Sequence, residues 1–411
     1  MWRRLVLSVI SRIHGGQIEI HENGRTTLIG DAGSDLRATV TVRSPRLWRR
    51  MLRGSTGMGD SYMRHEWDCD DLVNLWQIAG LNLPRLDRLR RRFAFVTGPF
   101  QRLGVLMPRT TRSRGKKQIA AHYDLGNDLF SLFLDHSMNY SSAVFPEGGE
   151  DLETAQLRKM DQIADQLDLG PDHHLLEIGT GWGGLAIHLA RRTGCRITTT
   201  TISAEQAKLA RDRIEAEGLT DSIEVIEVDY RDLAGTYDRL VSIEMIEAVG
   251  WQDFPTYFRK CSDLLKPDGA MLLQAITIDD DAYDLEKASR SFISYFIFPG
   301  GCLPSVAEIN RCLEAGTDLS VDWSMDLGLD YARTLSLWRE RFEAQTERLE
   351  AMGYDDRFRR MWRLYLTFAE GGFRSRRNSD FQFRLVKPQY HDPRNFDINR
   401  AGKGKIRRAS V

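Results

Sequence analysis

Between Leu175 and Gly184 the chain reads Leu-Leu-Glu-Ile-Gly-Thr-Gly-Trp-Gly-Gly, an apolar strand running directly into a glycine turn and then into a helix. No other segment restricts the fold as strongly. Gly179, Gly181 and Gly183 allow a sharp backbone bend and let a ligand approach with no side chain in the way. The same alternation continues on either side. Strands are predicted at His174 to Ile178, Ile197 to Ile202, Ile223 to Val228, Arg239 to Ile243 and Ala270 to Ile276, with helices at Gly184 to Arg192, Ala204 to Glu217 and Phe254 to Leu265. Alternating strands and helices imply a parallel sheet covered on both faces, an α/β Rossmann-like fold. The chain beyond Asp284 is expected to be mostly helical, its closely spaced Trp, Tyr and Phe forming a cap over the substrate side.

A glycine turn after a strand is shared by nicotinamide enzymes, flavoproteins and methyltransferases. Its surroundings narrow the choice. A dinucleotide site expects an acidic residue at the end of the second strand, whereas here that strand ends Thr199-Thr200-Thr201-Ile202-Ser203. The third strand ends Asp229-Tyr230-Arg231-Asp232, polar groups and an aromatic where an adenine lies in a methyltransferase sheet. S-adenosylmethionine is therefore the expected cofactor. Glu177, just ahead of the turn, is placed to reach the ligand or the loop amides.

With 411 residues the chain exceeds one ordinary core. Residues 1–105 read as a small α+β domain. Its short strands Gln17 to His21, Thr26 to Ile29 and Ala38 to Val42 are expected to pair antiparallel around Asn23-Gly24 and Ala32-Gly33, followed by helices at Pro45 to Arg53 and Cys69 to Ala79. Residues 106–118 form a basic linker, and 119–411 the catalytic domain with its cap.

Net charge is -1, yet the first 117 residues hold 22 Lys and Arg against 10 Asp and Glu. Such a basic segment suits an anionic lipid surface or nucleic acid. Five scattered cysteines offer neither a disulfide framework nor a zinc site, which points to a reducing cytoplasm and no metal. No stretch approaches the roughly 20 apolar residues that cross a bilayer, so membrane contact is expected to be peripheral.

Further motifs stand in order along the chain. They are His-Tyr-Asp-Leu-Gly-Asn-Asp-Leu-Phe from His122, Met-Asn-Tyr-Ser-Ser-Ala-Val-Phe-Pro from Met138, Thr-Ile-Ser-Ala-Glu-Gln from Thr201, Glu-Met-Ile-Glu-Ala-Val-Gly from Glu244, and Phe-Pro-Gly-Gly-Cys-Leu-Pro from Phe298. With the glycine turn, this set closely resembles the cyclopropane-fatty-acyl-phospholipid synthase family over Ala121 to about Lys387, and more loosely before it.

The resemblance implies a Rossmann-like methyltransferase acting on cis-unsaturated acyl chains of membrane phospholipids, with the N-terminal domain engaging lipid. It implies cofactor contacts from Tyr140, Ser141, Gly179, Gly181, Gly183, Thr201, Gln206, Tyr230 and Arg231. Glu247, the backbone at Ile276 and Tyr331 would surround the reacting carbon, where the family holds a bicarbonate ion as base. Two positions depart: Ser142 stands where the ring-forming members have Cys, and Gln274 where they have His. Ala369 also replaces a cysteine of the C-terminal helix. The departures resemble relatives that methylate oleoyl chains without ring closure, giving methylene- or methyl-branched products of the 10-methylstearate type, and they put bicarbonate in doubt.

An alkene is a poor nucleophile, so its attack on a sulfonium methyl needs alignment in a dry site. The carbocation left behind calls for aromatic faces and a buried carboxylate. Glu247, Tyr331 and some of Phe292, Tyr295, Phe296 and Phe298 are the candidates, and Gln274 can bond an anion without supplying the charge or proton of a His. His122 reads as structural or cofactor-adjacent. The expected partners are unsaturated acyl chains and an anionic membrane surface at the inner face, with a homodimer as a further expectation. Nucleic acid is not expected, and an inactive lipid-binding protein is the rival reading.

Overall fold

The computed structural model describes residues 1–104, 126–287 and 289–392, with backbone alone for 89–104. The linker expected at 106–118 and the segment around His122 lie outside the described residues.

The first unit is a four-stranded sheet of β1 (Gln17–Glu22), β2 (Arg25–Gly30), β3 (Arg37–Val42) and β4 (Trp67–Cys69), in the order β2-β1-β3-β4. Asn23 and Gly24 both have positive φ, the conformation a tight hairpin between β1 and β2 demands. The expectation of purely antiparallel pairing is corrected: β3 runs parallel to β1. Crossing to the far side of β1 sets Ala38 and Val40 beside Ile18 and Ile20, so that one face buries a continuous apolar row. Cys69 ends a strand and does not begin a helix. The helix Leu72–Gly104 starts three residues later, where Asp71 accepts the Asn74 N–H at 2.9 Å.

The main sheet has seven strands: β5 (His174–Ile178), β6 (Arg196–Thr200), β7 (Ile223–Ile226), β8 (Tyr237–Ile243), β9 (Leu265–Ile278), β10 (Ser320–Asp326) and β11 (Asn378–Val386). Their order is β10-β11-β9-β8-β5-β6-β7. The five expected strands are present and parallel to one another. From β5 the chain steps outward to β6 and β7, then returns to the other side of β5 for β8 and β9. That reversal opens a crevice beyond the carboxyl ends of the strands, where ligands bind in such sheets.

The chain beyond Asp284 is mostly helical as expected, but it also adds two strands to the sheet, β11 antiparallel to β9 and β10 antiparallel to β11. Asp380, Gln382 and Arg384 alternate with Phe381, Phe383 and Leu385, the two-residue period of a strand. This register sets Asp380 opposite Ile276 and Gln382 opposite Gln274. The rest of the segment is a helical cap of Gly328–Ala344 and Asp356–Arg374. The cap joins the N-terminal unit through Trp76 against Phe368, ring centroids 5.0 Å apart, and through Arg360, whose guanidinium lies 3.8 Å over Tyr62 and donates to Asp68 at 2.7 Å.

Candidate active site

At the end of β5 the backbone turns through Gly179, Gly181 and Gly183, all with positive φ, before the helix Gly184–Thr193. A Cβ at Gly181 would meet no atom of the described residues within 4 Å, so the turn presents bare backbone to the crevice. The fourth glycine has a different reason: a Cβ at Gly184 would sit 2.1 Å from the Ser137 carbonyl oxygen.

Glu177 is buried beneath this turn and accepts from Thr199 Oγ1, rather than reaching the loop amides; burial pushes its carboxyl up to about 8. At the end of β6, Thr201 donates to Gln206 Oε1 at 3.1 Å, and Ser203 caps the next helix. After β7, Arg231 makes a two-pronged contact with Asp229, at 2.8 and 2.7 Å, and its guanidinium lies 5.5 Å from the Tyr230 ring. The Tyr230 hydroxyl is buried without a hydrogen-bond partner among the described residues. Bare glycine backbone, paired polar groups at the next two strand ends and an aromatic beside them suit a nucleoside cofactor carrying an amino acid arm, which fits S-adenosylmethionine.

Tyr140 and Ser141 lie between this crevice and the cap. The Tyr140 hydroxyl is 2.8 Å from that of Tyr365, and its ring packs against Phe130, Trp338 and Phe298. Ser141 is held by a buried ammonium: Lys159 donates to its Oγ, while Gln156 donates to its carbonyl oxygen at 2.9 Å.

Beside the crevice, at the ends of β8 and β9, a polar cluster is enclosed by the cap. Glu244 Oε1 accepts from the Ser142 backbone N–H at 2.9 Å and from Gln274 Nε2 at 3.0 Å, and Glu244 Oε2 accepts from the Tyr331 hydroxyl at 2.6 Å. The second Gln274 proton goes to Asp380 Oδ2 at 2.8 Å, and Gln382 Nε2 donates to Gln274 Oε1 at 3.0 Å. Glu247 Oε1 accepts from the Ile276 N–H at 2.6 Å. Glu247 Oε2 and Asp380 Oδ1 have no donor among the described residues. Tyr331 stacks on Phe373 with centroids 4.5 Å apart, and Phe298 joins the wall against Tyr365.

Three carboxyl groups thus share this space with the ammonium of Lys159. Burial and then the Glu244 charge push Glu247 up to about 8. Burial and the charges of Glu244 and Glu247 raise Asp380. Burial also raises Glu244, against the opposing pull of the Tyr331, Ser142 and Gln274 donors and of Lys159. Lys159 is lowered to about 8 by burial, opposed by Glu244, Asp135 and Asp380. Tyr331 is raised, so it remains a donor.

A bicarbonate ion does not fit beside these residues. Each donor that would hold it is already engaged by a carboxylate of the chain: Ser142, Gln274 and Tyr331 by Glu244, and the Ile276 amide by Glu247.

The structure therefore brings Ser142, Gln274 and Tyr331 together around one carboxylate, with Glu247 and Ile276 paired beside them. Of the aromatics singled out in the sequence, Phe298 lies at the site. Phe292 is core, packed on Phe368, and Tyr295 is about half exposed. Sequence reasoning missed Glu244, Lys159, Asp380 and Gln382. Two signals were available. Lys159 falls on the buried stripe Ala155, Lys159, Ile163 of its helix, and Asp380 and Gln382 follow strand alternation.

The sequence pattern of the family described as mycolic acid cyclopropane synthetase matches residues 110–383. The chain is 39% identical over 354 residues to tuberculostearic acid methyltransferase UfaA1 of Mycobacterium tuberculosis, covering 84% of this chain and 82% of that one. It is 38% identical over 355 residues to cyclopropane-fatty-acyl-phospholipid synthase of Escherichia coli, covering 84% and 86%. Among solved structures it is similar to the cyclopropane synthase MmaA2 from Mycobacterium tuberculosis, with TM-score 0.62 and 29% identity, covering 66% of this chain and 98% of that one. The mycolic acid cyclopropane synthase CmaA1 complexed with SAH and CTAB gives the same figures.

Proposed function

The chain belongs to the mycolic acid cyclopropane synthetase family, and from that premise we propose that it transfers the methyl group of S-adenosylmethionine to the cis double bond of an unsaturated phospholipid acyl chain and closes a cyclopropane ring. It is an S-adenosylmethionine-dependent methyltransferase with a lipid substrate. One observation carries the reading: a cluster of buried carboxyl groups, walled by aromatic rings, lies beside the glycine turn. Burying several carboxyl groups in one space is unfavourable. It suits a reaction whose intermediate is a carbocation that no water can reach.

In this reading Gly179, Gly181 and Gly183 hold the cofactor with Glu177, Thr201, Gln206, Asp229, Tyr230, Arg231, Tyr140 and Ser141. When bound, the cofactor supplies an electrophilic methyl group. Glu247, Tyr331, Gln274, Ser142 and the Ile276 amide form the wall at the reacting carbon. The aromatic faces of Tyr331 and Phe298 stabilise positive charge, and the cap excludes water.

The acyl chain reaches the site from a membrane surface. Supporting this, the helix Trp2–Ile10 exposes Trp2, Leu5 and Val9 along one stripe, with Arg4 and Arg12 nearby, the pattern of a helix lying in an interface. Among the described residues no helix is long and apolar enough to cross a membrane.

The test is incubation of the purified protein with methyl-labelled S-adenosylmethionine and vesicles of cis-monounsaturated phospholipid, followed by mass spectrometry with olefin-specific derivatisation. A labelled lipid heavier by one methylene unit and inert to derivatisation is expected. A derivatisable product means methyl transfer without ring closure, and cofactor binding with unlabelled lipid would leave a lipid-binding protein.

A further inference from the structure

We propose that Glu244 is the proton acceptor of this reaction, its carboxylate standing in the seat that a bicarbonate ion would take. The inference rests on the methyl-transfer reading above and assigns the base within it.

The geometry is that of an anion seat filled by the protein. Three donors from three separate parts of the chain converge on one carboxylate: the Ser142 amide from the loop before the sheet, Gln274 from β9 and Tyr331 from the cap. Ser142 and Gln274 are wholly enclosed and Tyr331 nearly so, so the donors form a buried wall that fixes the Glu244 carboxylate in place.

Its backbone gives a second, independent sign. Glu244 has φ +48, in the left-handed region that favours glycine, directly after β8. Its N–H is fixed there by the Gln274 carbonyl at 2.9 Å. A strained conformation at a non-glycine residue persists where the surroundings impose it, and such positions cluster at sites of chemistry.

Charge assignment within the cluster agrees. Among the described residues Glu244 receives three hydrogen bonds, while one oxygen each of Glu247 and Asp380 receives none. A carboxylate that collects donors keeps its charge most readily, so the hydrogen bonds, with the Lys159 ammonium, favour negative charge on Glu244 over Glu247 and Asp380.

The step balances as follows. The double bond's π pair forms a carbon–carbon bond to the transferred methyl as the sulfur–carbon bond breaks, its electron pair remaining on sulfur. A carbon–hydrogen bond of that new carbon then breaks. Its electron pair closes the ring onto the cationic carbon, the proton passes to Glu244, and it returns to water when the product leaves.

The experiment compares label transfer to cis-monounsaturated phospholipid vesicles in carbon-dioxide-free buffer with transfer in buffer containing added bicarbonate. Three proteins are used: the wild type, Glu244→Gly and Glu244→Gln. The wild-type rate should be unchanged within about twofold. Glu244→Gly removes the carboxylate and suits the local backbone, so it should fold and bind cofactor. It should lose about 10²-fold or more in rate and recover at least in part when bicarbonate or formate enters the vacated seat. Glu244→Gln, which keeps the seat filled, should be as slow and unrescued. A merely structural role would give no rescue by the small anion. The proposal is overturned by a wild type that loses activity when bicarbonate is removed, or by a Glu244→Gln variant as fast as wild type. Absence of label from lipid under every condition, with cofactor bound, removes the methyl-transfer reading itself and this inference with it.

Discussion

Replacing Glu247 by Gln should make the protein inactive and, above about pH 6, more stable. The carboxyl ordinarily titrates at 4.5 and is pushed up to about 8 by burial and the Glu244 charge. A raised acid binds its proton more tightly in the folded state, so this group's contribution to stability falls as pH rises from 4.5 to about 8 and is constant outside that window. At pH 7 the difference is about 2.5 pH units at roughly 1.4 kcal/mol each, or about 3 kcal/mol of destabilisation. At pH 5 it is under about 1 kcal/mol. Gln has no such titration. Its side-chain oxygen still accepts the Ile276 N–H, while its amide nitrogen replaces an oxygen that has no partner, at about 1–2 kcal/mol.

The net effect is a variant less stable than wild type by up to about 1 kcal/mol at pH 5 and more stable by roughly 1–3 kcal/mol at pH 7 to 8. For a chain this long that is a Tm difference of a few degrees whose sign inverts with pH. Thermal unfolding of both proteins from pH 5 to 8 reads it, with cofactor titration and label transfer alongside. Cofactor affinity should be unchanged and transfer lost. A destabilisation equal at every pH would refute the assignment of a raised carboxyl, and full transfer activity would remove Glu247 from the reaction.

Other variants probe the neighbouring contacts. Tyr331→Phe deletes one of the three donors to Glu244 and should slow transfer about ten- to a hundredfold while cofactor affinity, measured by calorimetry, stays the same. Gly184→Ala would drive a Cβ into the Ser137 carbonyl and should lower stability by about 1–3 kcal/mol, read as a fall in Tm. Leu5→Glu with Val9→Glu should weaken sedimentation with anionic vesicles by about tenfold or more and leave Tm nearly unchanged, because both side chains are exposed. Equal sedimentation of that double variant and wild type would exclude the helix as a lipid contact.

The sequence by itself determined the parallel sheet and the glycine turn at its centre, because those features are local. A strand, its glycine turn and the following helix are contiguous, and their periodicities and φ requirements are written in neighbouring residues. The cap was half legible. Its aromatic helices were visible, but β11 was missed because Phe, Gln and Arg alternate in a stretch whose aromatic content was read as helical.

What only the tertiary structure decided is the chemistry of the cluster. Glu244 and Gln274 lie on adjacent strands, Asp380 arrives more than a hundred residues later, Tyr331 descends from the cap, and Lys159 reaches in from the helix before the sheet. Composition cannot show that these groups share one buried space. Whether a carboxyl is a solvated surface charge or a strained base depends on how much water is excluded and on which donors surround it, and both are set by residues distant in the chain. The departures Ser142 and Gln274 were plain in the sequence. That they turn toward a carboxylate of the chain is a fact of packing.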